Sequence, residues 1–136
     1  MAKRALCVGI NTFAHLPMAS WLNGCVNDAN DMAAMLRRRG FASRSITVLT
    51  DAEATKANVM GALTKLVETA KPGDHIVFSF SSHGTQVPDT DGDEGRPEAD
   101  GADEAFACHD MAQKGDQWDP ATVIVDDELR RLFSAL

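Results

Sequence analysis

Apolar residues in the first part of the chain fall into two kinds of pattern. Three short runs are continuously apolar or β-branched and predict strands: residues 5–10, 45–49 and 76–80. Between them, apolar residues at helical spacing predict two helices, one capped by Asn27 and stopped at Gly40, the other over residues 55–70. The order strand, helix, strand, helix, strand predicts right-handed crossovers and a largely parallel sheet.

The third predicted strand ends in residues that can do chemistry. Its apolar run is typical of a strand covered on both faces, and it leads into Ser81, Ser82, His83 and Gly84. In an open α/β sheet, ligands bind at the carboxyl ends of the strands. His83 is therefore a candidate general base, with Gly84 letting a substrate backbone come close. The alternative is a histidine that only satisfies a loop, and the pattern alone leaves both interpretations open.

The second part of the chain does not continue the alternation of strands and helices. Residues 88–120 are polar and rich in glycine and acidic residues, which predicts a long loop, either functional or disordered, with a short strand at residues 106–108. An apolar run at residues 122–125 follows. Asp126 is the predicted cap of a last helix, whose apolar residues recur at helical spacing: Leu129, Leu132, Phe133 and Leu136. We expect one domain over residues 1–136.

Composition and charge narrow the function classes. The chain has 136 residues, of which 44% are hydrophobic and 24% charged, as in ordinary soluble domains with one core. Its net charge of −7 argues against a nucleic-acid partner. It contains no apolar run of about 18 residues, so we expect neither a membrane span nor a membrane partner. The three cysteines lack metal-site spacing and predict reduced thiols in the cytoplasm.

Acidic residues are concentrated in the long polar segment. Eight of them lie between Asp89 and Glu104, against a single arginine. Because they repel one another, the segment is either a solvated loop or a site for a hard cation. Asp89, Asp91 and Asp93 match the start of an EF-hand loop, but Glu94 stands where that loop requires glycine, so the match is poor.

The cysteines and the other histidines offer no obvious nucleophile or partner. Cys25 opens a helix, where the dipole lowers a thiol pKa, and it is either a nucleophile or a pocket-lining or structural thiol. Cys7 is expected in the core, and Cys108 is expected to be packed. The remaining histidines are assigned to structure or surface: His15, His75 and His109.

Five stretches, taken together and in order, resemble one family. They are ALCVGIN at residues 5–11, LNGCVNDA at residues 22–29, FSFSSHGTQ at residues 78–86, and the later DEA and IVDDEL at residues 103–105 and 124–129. This set resembles the metacaspase and orthocaspase cysteine proteases. The resemblance implies a caspase-like α/β fold, in which helices flank a largely parallel sheet.

The resemblance also implies a cysteine endopeptidase. His83 matches the histidine that activates a cysteine thiol and then protonates the leaving amine. Ser82 stands where the family usually has glycine. Cys25, Asp28 and Ser81 match the pocket for a basic side chain, which implies peptide or protein substrates with Arg or Lys before the cut bond.

Calcium is the cofactor that the resemblance implies. Asp103, Asp126 and Asp127 match the calcium site of related enzymes, and all three offer hard oxygen ligands from separate parts of the chain. From the residues alone, two acids at a helix start are also common as capping groups.

One departure from the family is large. The nucleophilic cysteine of the family lies in a D-x-C-H-S-G stretch on the next strand, which this sequence does not contain. We therefore expect a fold truncated before that strand, with an exposed sheet edge. The chain is then a fragment or a separated subunit, inactive alone and needing the remaining catalytic segment or a second subunit, or else a natural pseudoprotease. The first two are favoured; the alternative function is a non-catalytic binding module.

Overall fold

Three parallel strands form the centre of the structure, a computed structural model that describes residues 1–88 and 102–136. They are β1 (Lys3–Gly9), β2 (Ile46–Thr50) and β3 (His75–Ser81), paired in the order β2-β1-β3. β1 is the central strand, so the chain visits one side of it and then the other. The predicted order of elements and the parallel sheet are confirmed.

Helices cover both faces of β1. Successive residues of a strand point to opposite faces, and α1 (Cys25–Arg38) and α2 (Lys56–Glu68) take one face each. The α1 face buries Ala5, Cys7, Ala29, Ala33, Leu36 and Phe41. The α2 face buries a larger group that includes Leu6, Val8, Ile10, Val59 and Leu63. Each large apolar side chain buried in this way contributes about 1.5–3 kcal/mol to folding.

The start of α2 was predicted closely from the sequence, and the start of α1 was not. Helix α2 begins one residue after its predicted start, and Thr55 caps it, because the Thr55 hydroxyl accepts a hydrogen bond from the backbone N–H of Asn58 at 3.3 Å. The prediction for α1 was wrong. That helix begins at Cys25 with Gly24 in the cap position, so Asn27 lies inside the first turn. The side chain that satisfies this first turn comes from elsewhere in the chain.

A second, antiparallel sheet follows β3. Its strands are hydrogen-bonded in the order β4-β5-β8, and a short hairpin lies between the last two: β4 (Gly84–Pro88), β5 (Ala102–Ala107), β6 (Gln113–Lys114), β7 (Gln117–Trp118) and β8 (Val123–Val125). The predicted strand at residues 106–108 is therefore the end of a longer one. β4 was missed altogether.

The last helix, α3 (Asp126–Phe133), begins directly after β8. Asp126 is its first residue and not its cap, because Val125 holds the cap position. The Glu128 carboxylate accepts a hydrogen bond from the Val125 N–H at 3.0 Å, and it also binds the Lys56 ammonium at 2.8 Å. These contacts fix the start of α3 against α2.

β3 lies at an edge of the three-stranded sheet as far as the described residues show. Its residues from Ile76 to Ser81 are half-buried, with Ile76, Phe78 and Phe80 packed on the α2 side and Val77 on the α1 side, so the predicted cover on both faces is present but incomplete. Phe80 contacts Phe106 edge-to-face, with ring centroids 5.5 Å apart, and so links β3 to β5. Within the described residues, no helix is long and apolar enough to cross a membrane.

Candidate active site

The carboxyl ends of β1 and β3 lie side by side. Gly9 is paired with Ser81, and the N–H of Ile10 donates to the Ser81 carbonyl at 3.0 Å. β1 is followed by residues 10–24, here called the β1–α1 loop, and β3 is followed by Ser82 and His83. Because the chain crosses from one side of β1 to the other, a crevice for a ligand is expected at this rim of the sheet.

The imidazole of His83 is held by the β1–α1 loop. Its Nε2 lies 2.6 Å from the carbonyl oxygen of Ser20. A carbonyl only accepts, so Nε2 carries the proton, and Nδ1 of the neutral ring is left as an acceptor. The ring also packs against Phe13, with centroids 5.3 Å apart. His83 is thus half-buried, oriented and fixed in the tautomer that a general base acting through Nδ1 requires.

The backbone next to His83 is also anchored. The Ala107 N–H donates to the His83 carbonyl at 2.9 Å, and the Ser82 hydroxyl donates to the Ala107 carbonyl at 3.0 Å. Ser82 does not have a positive φ, so serine occupies this position without strain. The last residue of β5 therefore holds both residues that follow β3.

The first turn of α1 forms the neighbouring wall of the rim. Asn11, in the β1–α1 loop, accepts through Oδ1 from the N–H groups of Cys25 at 2.9 Å and Val26 at 3.3 Å. This side chain satisfies two of the free donors at the helix start, where Gly24 has no side chain to offer. Gly9 admits the helix closely, since a Cβ there would lie 2.1 Å from the Cys25 carbonyl oxygen.

The predicted pocket residues lie together in part. The Ser81 hydroxyl donates to Oδ2 of Asp28 at 2.8 Å, so the end of β3 contacts the first turn of α1. Asp28 is exposed, and its carboxylate charge is therefore available at the rim. Cys25 is half-buried at the start of the same turn. Within the described part of the chain, the Cys25 thiol makes no hydrogen bond to Asp28 or Ser81.

The other two cysteines are unsuited to nucleophilic chemistry. Cys7 and Cys108 are both fully buried. Burial raises the pKa of the Cys7 thiol, and it raises the pKa of the Cys108 thiol to about 12. Both thiols therefore stay protonated at neutral pH, in agreement with their predicted places in the core.

Three carboxylates form a cluster between β5 and the start of α3. Asp103 of β5 and Asp126 and Asp127 of α3 each place one oxygen within 4.8 Å of the others. Asp103 and Asp127 are buried, and Arg130 donates to Asp127 at 3.2 Å. Two oxygens bound to one Ca²⁺ at about 2.4 Å lie at most about 4.8 Å apart, so the spacing fits a calcium ion.

The environment of Asp126 also fits a cation. Burial, followed by the charge of Asp127 and at longer range that of Glu104, raises the pKa of the Asp126 carboxyl. Its Oδ1 is buried and has no hydrogen-bond partner among the described residues. A bound cation would compensate both the repulsion and the lost hydration. The competing triad Asp89, Asp91 and Asp93 lies outside the described residues.

Two residues of this rim were missed from the sequence. Asn11 gave no signal because it caps a helix that begins 14 residues later. Asp51 directly follows β2 and has a φ of 47°, and its Oδ1 accepts from the N–H groups of Asn11 and Thr12. His109, assigned to structure or surface, is structural: its Nδ1 lies 2.7 Å from the Thr12 carbonyl oxygen.

Comparison with known proteins gives a consistent result. The profile of the family described as "Metacaspase, peptidase C14 domain" matches residues 3–136. The chain is 38% identical to Metacaspase-1A of Aspergillus fumigatus and to Metacaspase-1 of Cryptococcus neoformans, in each case over 138 residues and 96% of the chain. It covers 30% and 27% of those two proteins, so it spans less than a third of the length of these relatives.

A solved structure agrees. Protein GSU0716 from Geobacter sulfurreducens superposes with a TM-score of 0.76 at 35% sequence identity, covering the whole of this chain and 46% of that one. The α/β fold with its helix-flanked parallel sheet is therefore the caspase-like one that the motifs predicted. The chain belongs to the metacaspase family, the group described by the peptidase C14 domain.

Proposed function

We propose that this chain is the histidine-bearing part of a calcium-stimulated cysteine endopeptidase that cleaves after arginine or lysine. Membership of the metacaspase family supports the reaction class. The observation that carries the proposal is the state of His83, whose Nε2–H is bound to the Ser20 carbonyl so that Nδ1 is left as the acceptor. Cys7 and Cys108 do not supply the nucleophile, because both are buried and protonated, and Cys25 is assigned to the substrate pocket.

The proposed reaction uses His83 as base and then as acid. Nδ1 removes the proton from a cysteine thiol that the remaining segment of the protease supplies, and the thiolate attacks the scissile carbonyl carbon. The imidazolium then gives this proton to the leaving amine as the C–N bond breaks, which leaves a thioester. Water, activated by the same nitrogen, hydrolyses the thioester. Throughout, the Ser20 carbonyl accepts the hydrogen bond from Nε2–H and keeps the ring in place.

Asp28 is the proposed recognition group for the basic side chain. Its carboxylate is exposed at the rim, and the hydrogen bond from Ser81 fixes one oxygen while leaving the charge intact. A guanidinium or ammonium pairs with such a group through charge-assisted hydrogen bonds. The net charge of −7 also favours the approach of basic peptides.

Specificity is tested in the chain joined to the nucleophile-bearing segment of a metacaspase. We expect a fluorogenic peptide ending in Arg or Lys to be cut, and one ending in Asp to be left intact. Asp28→Asn should raise KM for the Arg peptide at least about tenfold, since a charged hydrogen bond is lost. Asp31→Asn, on an exposed position of the same helix, is the control. Equal cleavage of Arg and Asp peptides would contradict the proposal.

Asp103, Asp126 and Asp127 would hold the calcium ion. When bound, the ion supplies positive charge that joins the start of α3 to β5, and it takes no part in the bond-breaking steps. Three carboxylates supply only part of the six to eight oxygens that Ca²⁺ prefers, so backbone carbonyls or waters would have to complete the set. Calcium held there would stabilise the second sheet, whose strand β5 anchors the backbone at His83.

Calcium binding can be measured on this chain without any proteolytic assay. At a free calcium concentration about 100 times the dissociation constant, stability should rise by about 2.7 kcal/mol, seen as a higher Tm. Asp126→Asn should remove the effect. Asp116→Asn, an exposed acid at the β6–β7 turn, should leave it unchanged. A Tm that does not respond to calcium in the unaltered chain would contradict the calcium proposal alone.

A further inference from the structure

The carboxylate of Asp51 holds the start of the β1–α1 loop. Its Oδ1 accepts two backbone hydrogen bonds, from the N–H of Asn11 at 2.8 Å and the N–H of Thr12 at 3.1 Å. Asp51 does so from a φ of 47°, in the left-handed region that L-residues seldom adopt and that Asp and Asn tolerate best. Among the described residues, it is the only non-glycine residue with positive φ. Strain at one residue beside a proposed site suggests a functional constraint.

The effect of Asp51 is passed on through Asn11. With its backbone fixed, Asn11 directs its side-chain oxygen at the N–H groups of Cys25 and Val26, the first two residues of α1. The same residue accepts the Leu22 N–H on its backbone carbonyl at 2.8 Å, which closes the base of the loop. Asn11, which lies just after β1, therefore binds both Leu22 near the end of the β1–α1 loop and the first residues of α1.

The first turn of α1 carries the proposed recognition group. Asp28 lies in that turn and is bound to Ser81 across the rim at 2.8 Å. The position of its carboxylate thus depends on where the helix begins relative to the sheet. That position is set by the close packing at Gly9 and by the Asn11 cap.

We propose that Asp51 is a positioning residue for substrate specificity. Acting through Asn11, it fixes the start of α1 and so the place of the Asp28 carboxylate that receives the basic side chain of the substrate. This inference rests on the proposed function for the role of Asp28. The hydrogen-bond relay itself does not, and it can be tested separately.

The relay is tested first by hydrogen exchange on this chain. Amides in the first turn of a helix have no acceptor within the helix, so protection of the Cys25 and Val26 amides reports the bond from Asn11. Asp51→Gly keeps the positive φ without strain but removes the carboxylate, whereas Asp51→Asn keeps an acceptor. We expect exchange at both amides to be at least about tenfold faster in Asp51→Gly and in Asn11→Ala, and within about threefold of normal in Asp51→Asn.

A matched control is available at the other end of the sheet. The Asp74 carboxylate also accepts two backbone N–H groups, from Ala2 and Lys71, both at 2.9 Å. Asp74→Ala should leave the Cys25 and Val26 amides unchanged, although the protein loses stability. Unchanged exchange at these amides in folded Asp51→Gly and Asn11→Ala would overturn the relay.

The role in specificity is tested in the chain joined to the nucleophile-bearing segment. Asp51→Gly should raise KM for an Arg-ended peptide roughly tenfold and leave kcat within about threefold of its normal value. In Asp51→Asn, KM should stay close to its normal value. A fall in kcat at unchanged KM would indicate only less folded enzyme and would overturn the proposal. If the unaltered protease fails to cut Arg peptides, the proposed function is wrong, and the exchange results for the relay still stand.

Discussion

The replacement of Gly9 by alanine tests how closely α1 packs on the sheet. An added Cβ would lie 2.1 Å from the Cys25 carbonyl oxygen and 2.9 Å from the Ala29 Cβ. Non-bonded carbon and oxygen atoms do not approach closer than about 3 Å, so the start of α1 must retreat by roughly 1 Å. A shift of that size would stretch the 2.8 Å bond between Ser81 and Asp28 beyond hydrogen-bond range. Overpacking of this kind costs about 1–3 kcal/mol, and we expect a value near the upper end.

Urea unfolding followed by circular dichroism measures this cost, with Gly61→Ala as the matched control. Gly61 lies inside α2, and an added Cβ there meets no atom within 4 Å. Gly61→Ala should therefore stabilise the chain by up to about 1 kcal/mol, through helix propensity alone. The same chemical change thus has opposite signs at the two positions. A Gly9→Ala chain as stable as the unaltered one would refute the close packing of α1 on β1.

Two further results are expected from the isolated chain. Iodoacetamide should modify only the half-buried Cys25 in the native chain, because Cys7 and Cys108 are buried and have raised pKa values. After denaturation it should modify all three thiols, as counted by mass spectrometry. Labelling of Cys108 in the native chain would contradict the packing. The backbone N–H groups of Ala2 and Lys71 lower the pKa of Asp74 below its ordinary value of 3.8. The ionised carboxylate therefore stabilises the folded chain fully above pH 3.8, and this stabilisation is lost as the pH falls through the lowered pKa. The stability difference between the unaltered chain and Asp74→Asn should shrink between about pH 5 and about pH 2 in urea titrations, and a constant difference would refute the assignment.

The parallel half of the fold was readable from the sequence because each element carries its own periodic signal. Strands β1 and β2 and helix α2 lie within two residues of their predicted bounds. The degree of burial of β3 was not readable. Continuous apolar character indicates a buried strand, yet β3 lies at a sheet edge among the described residues and is half-exposed. Whether an apolar strand has neighbours on both sides is a property of the topology, which local pattern does not contain.

The antiparallel sheet was largely missed for a different reason. β5 places Asp103, Ala105 and Ala107 inside and Glu104 and Phe106 outside. An acid at an inward position and an aromatic at an outward one reverse the usual alternation, so the strand resembled a polar loop. The inward acid belongs to the carboxylate cluster with α3. The acid that makes β5 hard to recognise from the sequence is therefore the same acid that belongs to a candidate site.

Residues of the candidate site were named from the sequence, but the side chains that hold those residues in place were not. His83 was named from its place at the end of a strand, Asp28 and Ser81 were named from motif resemblance, and the structure adds the contacts that orient them. Asn11 and Asp51 escaped because both act on backbone groups that are distant in sequence. Long-range capping of this kind leaves no spacing rule for a sequence pattern to detect.

The central claim is that His83 is the proton-transferring group of a cysteine protease. The most direct measurement is the rate at which the chain, joined to the nucleophile-bearing segment, cleaves an Arg-ended peptide with and without His83→Ala. His75→Ala, a substitution at the exposed first residue of β3, serves as the control. We predict that kcat falls by roughly 10⁴-fold or more in His83→Ala and is unchanged in His75→Ala. Cleavage that persists at the normal rate in His83→Ala would contradict the account.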